Sequence, residues 1–419
     1  MDYQVSSRQT RFAFILITSL FFLWGFAHNL DPILIPHLKK SFTLTTTKST
    51  LVDSAVYIAY FVMALPAGFL LKKYGYKIGI ITGLLVFAAG SFLFLPAADN
   101  QSYYFFLGAL FVIACGLTIL ETAANPYATV LGPEETSTQR LNLAQSFNGL
   151  AVALAPVIGA RVIFTKGYSD EELSAMSASA REIALAAEAS SVKTPYFILG
   201  TVLVLVAIIF SFTRLPKIKN ESGGEQSASV FHALKHKHLA WGVAAQFFYV
   251  GAQVCVLNLF ILYAAKSAGM EQVTAADYLG AGGLAFLIGR FFGTFLMKFI
   301  KPNILLAVYA VINILLCLIA IFGSGMITIY TVIAICFFMS IMFPTIFALG
   351  IKDIGGDTEF GSSLIIMSIV GGAILPPVFG YISDYTGNIQ VGYVVPLICF
   401  AVVAYFGWRG FKVKGKLKM

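Results

Sequence analysis

About twelve apolar runs, each near or above the length a helix needs to cross a bilayer, follow one another along this chain. They lie near 12–38, 50–73, 77–97, 102–131, 141–165, 194–213, 239–266, 276–300, 303–323, 327–351, 360–383 and 391–411. Lipid offers no water to satisfy backbone groups, so such runs cross as helices, and the chain reads as an all-α membrane protein. With 58% hydrophobic and only 11% charged residues over 419, it does not read as a soluble domain. The net charge of +8 does not indicate nucleic acid, because the basic residues sit between the runs and at the ends. Arg8 and Arg11 precede the first run and no small-residue cleavage site follows it. That run is expected to stay as span 1 and not to be removed as a signal peptide. The five cysteines all fall inside apolar runs and read as small core residues.

The runs divide six and six about the polar segment 214–238, which holds Gly223, Gly224 and several serines and lysines. The expected domains are a six-helix bundle over 1–213, a cytoplasmic linker over 214–238, and a second six-helix bundle with a basic tail over 239–419. The halves echo one another. Pro126 and Gly132 stand six apart near the end of run four, as do Pro344 and Gly350 near the end of run ten. Pro156 and Pro376 interrupt runs five and eleven, and Gly68 answers Gly293. Such a repeat marks transporters built from two pseudo-symmetric bundles around a central site. Placing the N-terminus inside puts most of the 28 Lys and Arg residues on the inner side, which predicts that both termini are cytoplasmic. The outer segment 168–192 has Ser169 and Glu172 at capping-box spacing, then Leu173, Met176, Ile183 and Ala187 at helical spacing. A short amphipathic surface helix is expected there.

The chemistry concentrates between Glu121 and Asn148. Glu121 lies deep in run four, with Asn125 and Pro126 one turn on. An ionisable group at that depth is costly in lipid and marks a functional site. Burial favours the neutral form of a carboxylic acid, which suits a group that takes up and releases a proton. Asn142, Gln145 and Asn148 open run five at intervals of three, which puts three amides on one side of a helix. Amides pair donors with acceptors, as sugar hydroxyls require. The structural alternative is that Glu121 and the amides only hold two helices together. In run one, His28 and Asp31 are three apart, and Trp24 lies a turn earlier, where its ring suits a sugar's apolar face as well as packing. Arg290 lies two or three turns from the inner end of run eight, where it can snorkel or pair at a cytoplasmic gate. Asp53 and Arg161 lie near outer ends, within reach of water. His232 and His236 in the linker are four apart, but no acid or cysteine near them in the sequence completes a metal set. No metal site and no cofactor are expected. Few other polar residues occur in the second half, which predicts a largely apolar wall opposite the amides.

Several stretches carry a resemblance to a known family. They are FFLWGFAHNL at 21–30, ILIPHLKK at 33–40, PAGFLLKKYGYKIGIITGL at 66–84, LETAANPYATVLGPE at 120–134 and RLNLAQSFN at 140–148. The second half adds FYVGAQ at 248–253, IGRFFGT at 288–294, FPTIFALGIK at 343–352 and YISDYTGNI at 381–389. Together they resemble the major facilitator superfamily and, within it, the fucose–proton symporter family of sugar permeases, over nearly all spans. The resemblance implies twelve transmembrane helices in two six-helix bundles, working by alternating access around a sugar held between them. In that family an acid on span 4 is tied to proton coupling, and Glu121 matches it. Amides opening span 5 contact sugar, matched by Gln145 and Asn148, while Tyr249 and Gln253 match the span-seven motif. Two departures stand out. Where the family usually has Asn-Asp-Ile-Leu on span 1, this chain has Asp31-Pro32-Ile33-Leu34, so the acid sits one place early. One place turns a side chain by about 100° on a regular helix, and Pro32 can bend the span to compensate. The superfamily loop after span 2 usually has an acid four residues past Gly68. Here Lys72 stands there, with Lys73, Gly75 and Lys77 nearby, which implies an inner gate with a different ionic latch.

The expected function is proton-coupled import of L-fucose or a related hexose across the inner (plasma) membrane. The expected partners are sugar, proton and membrane lipid, with the chain acting as a monomer. The alternatives within the class are glucose/galactose transport, uncoupled or sodium-coupled flux, and drug–proton exchange. A membrane sensor would need an output domain that neither linker nor tail can hold. An intramembrane enzyme would need a nucleophile or metal set that the spans do not assemble.

Overall fold

The computed structural model describes residues 7–28, 51–163, 175–213, 215–216 and 230–413. Span 1 is Ser7–His28. Spans 2 and 3 form one stretch, Leu51–Asp99, bent at Gly75, where φ is 79° and ψ 170°. Only a residue without a Cβ takes that backbone conformation easily, so the glycine sets the reversal between the two spans. Spans 4, 5 and 6 are Tyr103–Val130, Ser137–Ile163 and Lys193–Phe212. In the second half, Lys237–Asn258 and Phe260–Ala268 make span 7, Gln272–Leu296 span 8 and Pro302–Phe322 span 9. Span 10 is broken into Met326–Met339 and Met342–Gly350, and span 11 into Thr358–Met367 and Gly371–Thr386. Span 12 contains Val394–Tyr405. Among the described residues nine helical stretches are long and apolar enough to cross a membrane, and one of them, Ala55–Asp99, holds two spans.

The interruption of span 10 has a covalent cause. Pro344 has no N–H, so the carbonyl of Ser340, four residues back, loses its helical donor. Pro126 does the same to the carbonyl of Thr122 inside span 4. In lipid a freed carbonyl must find another donor. Both do, and both donors lie in the functional region.

Span 2 packs against the start of span 11, span 5 against span 8, and spans 4 and 5 against the second part of span 10. These contacts join the halves. Lys72, Arg140, Lys298 and Lys352 share one end of the molecule, the basic end. All five cysteines are free and buried, as core residues should be. After span 5 a helix does form, Ala178–Ser190, with Ser177 Oγ accepting from the Ala180 N–H at 3.3 Å. Its orientation differs from expectation: Ala184 is buried against the protein and Ile183 is 71% exposed. Ser169, Glu172 and Leu173 lie outside the described residues.

Candidate functional site

Span 4 is buried at every position from Ile113 to Thr129, which makes it an interior helix that presents its polar residues to other spans and not to lipid. Glu121 is 8% exposed, and its Oε1 accepts the Tyr60 hydroxyl at 2.7 Å. Tyr60 comes from span 2, and in the sequence nothing distinguishes it from the other aromatics of VYIAYFV. One turn beyond Glu121, Asn125 is fully buried, and its Oδ1 accepts from Gln145 Nε2 at 3.2 Å. Its own Nδ2 has no hydrogen-bond partner among the described residues.

The span 4–5 connection fixes this register. Arg140 donates to the carbonyls of Ala128 and Thr129, in the last turns of span 4, and to the Pro133 carbonyl and Thr136 Oγ1. Helix-end carbonyls have no partners of their own, so one guanidinium closes the end of span 4 and holds the start of span 5 beside it.

The amide row fans out along its side of the helix. Asn142 Nδ2 donates to Thr345 Oγ1 in span 10 at 3.1 Å, Gln145 faces span 4, and Asn148 Nδ2 donates to the Phe21 carbonyl in span 1 at 3.3 Å. Three residues turn a helix by about 300°, so each step falls back about 60° and the row covers about 120°. The three amides therefore meet three different neighbours. Trp24 is buried beside Phe21, with ring centroids 4.1 Å apart. The adjoining Gly25 admits Asn148 closely: a Cβ there would lie 2.6 Å from Asn148 Nδ2. His28 ends the described part of span 1. Its side chain, those of Asp53 and Arg161, and the whole of Asp31 lie outside the described residues.

Arg290 does not snorkel. It is 4% exposed, donating from Nε to the Ser340 carbonyl and from Nη1 to the Gln145 carbonyl, both at 2.8 Å. The first of these is the carbonyl that Pro344 frees, and the second belongs to the other half. Its guanidinium also lies 4.5 Å from the Phe286 ring centroid. Tyr249 is fully buried with its hydroxyl on the Met339 carbonyl at 3.1 Å, and Gln253 is half-buried one turn on. The second half is also less apolar inside than its sequence suggests, since Gln246 and Asn313 are fully buried within it.

At the basic end Ser362 Oγ donates to the Thr122 carbonyl at 2.8 Å, and Gln139 Nε2 to the Thr294 carbonyl at 3.3 Å. Phe69 meets Phe360 edge-on at 4.9 Å, and the Lys72 ammonium lies 5.3 Å from the Phe360 centroid. Lys73 lies over Tyr74 and Lys77 Nζ donates to the Ser211 carbonyl, so these two lysines contact their own half. Toward the opposite end, Tyr57 of span 2 lies against Gly372 of span 11. Intramembrane hydrogen bonds average about 0.6 kcal/mol, so the cross-half bonds of Gln139, Asn142, Arg290 and Ser362 together contribute about 2–3 kcal/mol. A closure of that size is reversible, because differential ligand affinity of a few kcal/mol outweighs it.

Known proteins match this chain over nearly its whole length. A family model of the Major Facilitator Superfamily matches residues 13–357. The L-fucose-proton symporter of Escherichia coli (strain K12) is 44% identical over 408 residues, covering 96% of this chain and 93% of that protein. A glucose/galactose transporter of Brucella abortus is 39% identical over 409 residues, covering 97% and 96%. The crystal structure of a Major Facilitator Superfamily transporter, FucP, in the outward conformation superposes with a TM-score of 0.89 at 43% identity, covering 95% of this chain and 98% of that one. The chain therefore belongs to the Major Facilitator Superfamily and, within it, to the fucose–proton symporter family.

Proposed function

We propose that this chain is a proton-coupled sugar symporter of the inner membrane, working by alternating access between spans 1–6 and spans 7–12. One observation carries the reading: a buried carboxyl, Glu121, bonded to a tyrosine hydroxyl and one turn from the interhelical amide pair Asn125–Gln145. Glu121 is assigned the coupling proton. Gln145, Asn148, Asn125 and Asn142 are assigned hydrogen bonds to sugar, exchanging their present partners for hydroxyls as the halves move. Trp24, His28, Tyr249 and Gln253 complete the proposed lining, and Asp31 is proposed as a second carboxyl facing the cavity, turned there by Pro32. Arg290 and Lys72 act at the gate on the basic end, with Lys73 and Lys77 holding its first-half side. That end is taken as cytoplasmic, with both termini there and 214–238 as the linker between bundles 1–213 and 239–419. The chain is taken to work as a monomer in lipid.

The relatives named as fucose–proton symporters favour L-fucose, while the 39% identical glucose/galactose transporter supports a second reading with those hexoses as cargo. Uptake of a panel of labelled sugars into proteoliposomes, with external pH recorded, tests both. One sugar should enter with matching alkalinisation of the medium, independent of sodium. Sodium-dependent uptake without a pH change would overturn proton coupling, and no uptake of any hexose would overturn the sugar assignment.

A further inference from the structure

The fold brings two histidines four residues apart together with an aspartate that lies 125 and 121 residues further along the chain. His232 lies in the short helix Val230–Ala233, His236 is the cap residue of span 7, and Asp357 immediately precedes Thr358–Met367 of span 11. His232 Nδ1 is 2.7 Å and His236 Nε2 2.9 Å from the same oxygen, Asp357 Oδ2. The three ligand atoms all fall within 4.8 Å of one another. Asp357 has 5% of its side chain exposed, and its other oxygen, Oδ1, has no hydrogen-bond partner among the described residues.

We propose that His232, His236 and Asp357 form a binding site for a divalent transition-metal cation, Zn2+ in particular, on the basic face of the protein. Ligand atoms at about 2.0–2.2 Å from a tetrahedral Zn2+ stand about 3.3–3.6 Å apart, so each imidazole has to draw back roughly half an ångström from Asp357 Oδ2 to exchange its hydrogen bond for a metal bond, a separation still inside the 4.8 Å span of the set. Two imidazoles with one carboxylate suit Zn2+, Co2+ or Ni2+, whereas Mg2+ and Ca2+ prefer oxygen ligands. The unpartnered Oδ1 gives the carboxylate a second ligand atom. The two histidine side chains are 41% and 30% exposed, which leaves an access path and room for water to complete the coordination. His238 stays out of the set, because its Nε2 is engaged by the Lys352 carbonyl at 2.8 Å. A cation here ties the linker and the start of span 7 to the start of span 11, the segment that packs on span 2 across the halves. This revises the reading of the linker as lacking a metal set: the missing acid is supplied by a loop distant in sequence.

The test uses the full chain in detergent, stripped with chelator and titrated with Zn2+ at fixed pH. Bound metal per chain is measured by equilibrium dialysis, and thermal midpoint in parallel. One Zn2+ should bind per chain and raise the midpoint, and Mg2+ should do neither. Losing even a supporting partner of a metal site costs roughly 10–100-fold in affinity, so His232→Ala and His236→Ala should each weaken Zn2+ binding at least that much. His37→Ala should leave it unchanged. His232→Ala keeps the test sound where Asp357→Asn fails to fold, because His232 is partly exposed. Zn2+ binding equal in wild type and both histidine variants, or no Zn2+ bound by the wild type, overturns the site and leaves a hydrogen-bonded trio.

Discussion

Ser362 of span 11 donates to the carbonyl of Thr122 in span 4 at 2.8 Å, and that carbonyl is the one Pro126 leaves without a helical donor. The Ser340 carbonyl, freed by Pro344, is likewise filled by a side chain, that of Arg290 from the same half. The two prolines occupy matching places in the two halves of the sequence. In the first half the missing N–H leaves an acceptor for a donor from the other half; in the second it leaves one that anchors Arg290, whose other nitrogen crosses to the Gln145 carbonyl.

Ser362→Ala should open the basic end. A stranded buried acceptor costs roughly 1–3 kcal/mol, so the closed population should fall by about ten- to a hundredfold relative to the open one. Pro126→Ala restores the N–H, so Ser362→Ala should then have little effect. Spin-label distances between exposed basic-end sites, in wild type and the three variants, check this. Equal shifts from Ser362→Ala in both backgrounds would remove the proline from the explanation.

Glu121→Gln keeps the shape of the protonated acid and removes the ionisable group. Accumulation of sugar against a gradient should be lost, while some exchange of labelled for unlabelled sugar persists. Tyr60→Phe, which deletes the hydroxyl bonded to Glu121, should slow coupled uptake while sugar binding is retained. Proton-coupled accumulation at the normal rate in Glu121→Gln would rule out its assigned role.

The amides separate by neighbour. Gln145→Ala and Asn148→Ala should weaken sugar binding by about ten- to a hundredfold, the equivalent of roughly 1–3 kcal/mol. Asn142→Ala also breaks the bond to Thr345, so it should change the closed–open balance in the absence of sugar as well. Calorimetry with purified variants distinguishes the two effects. Unchanged affinity in both Gln145→Ala and Asn148→Ala would leave these amides as helix-packing groups.

Orientation is open to a direct test, since all native cysteines are buried. Ser179→Cys and Lys301→Cys lie on exposed segments at opposite ends. In intact cells an impermeant thiol reagent should label the first and spare the second. The reverse pattern would invert the topology.

Much of this protein was legible in its sequence. The length and repetition of apolar runs dictate spanning helices, because lipid leaves the backbone no other way to satisfy its polar groups. Glu121 and Arg290 stand out for the same reason: a charge at that depth has a cost that only a buried partner offsets. The Pro126 and Pro344 spacing marks where a carbonyl loses its helical donor, since a missing N–H is a local covalent fact. What those features bind to is not local. Tyr60 reaches Glu121, Ser362 reaches Thr122 and Asp357 reaches the linker histidines only after helices far apart in sequence have packed. The fan of Asn142, Gln145 and Asn148 is set by helical geometry, yet which neighbour each amide meets depends on how spans 1, 4 and 10 surround span 5. Helix formation follows from the chain and its solvent, whereas partner choice in a membrane follows from shape, because lipid and apolar side chains attract a helix about equally and packing decides which faces meet.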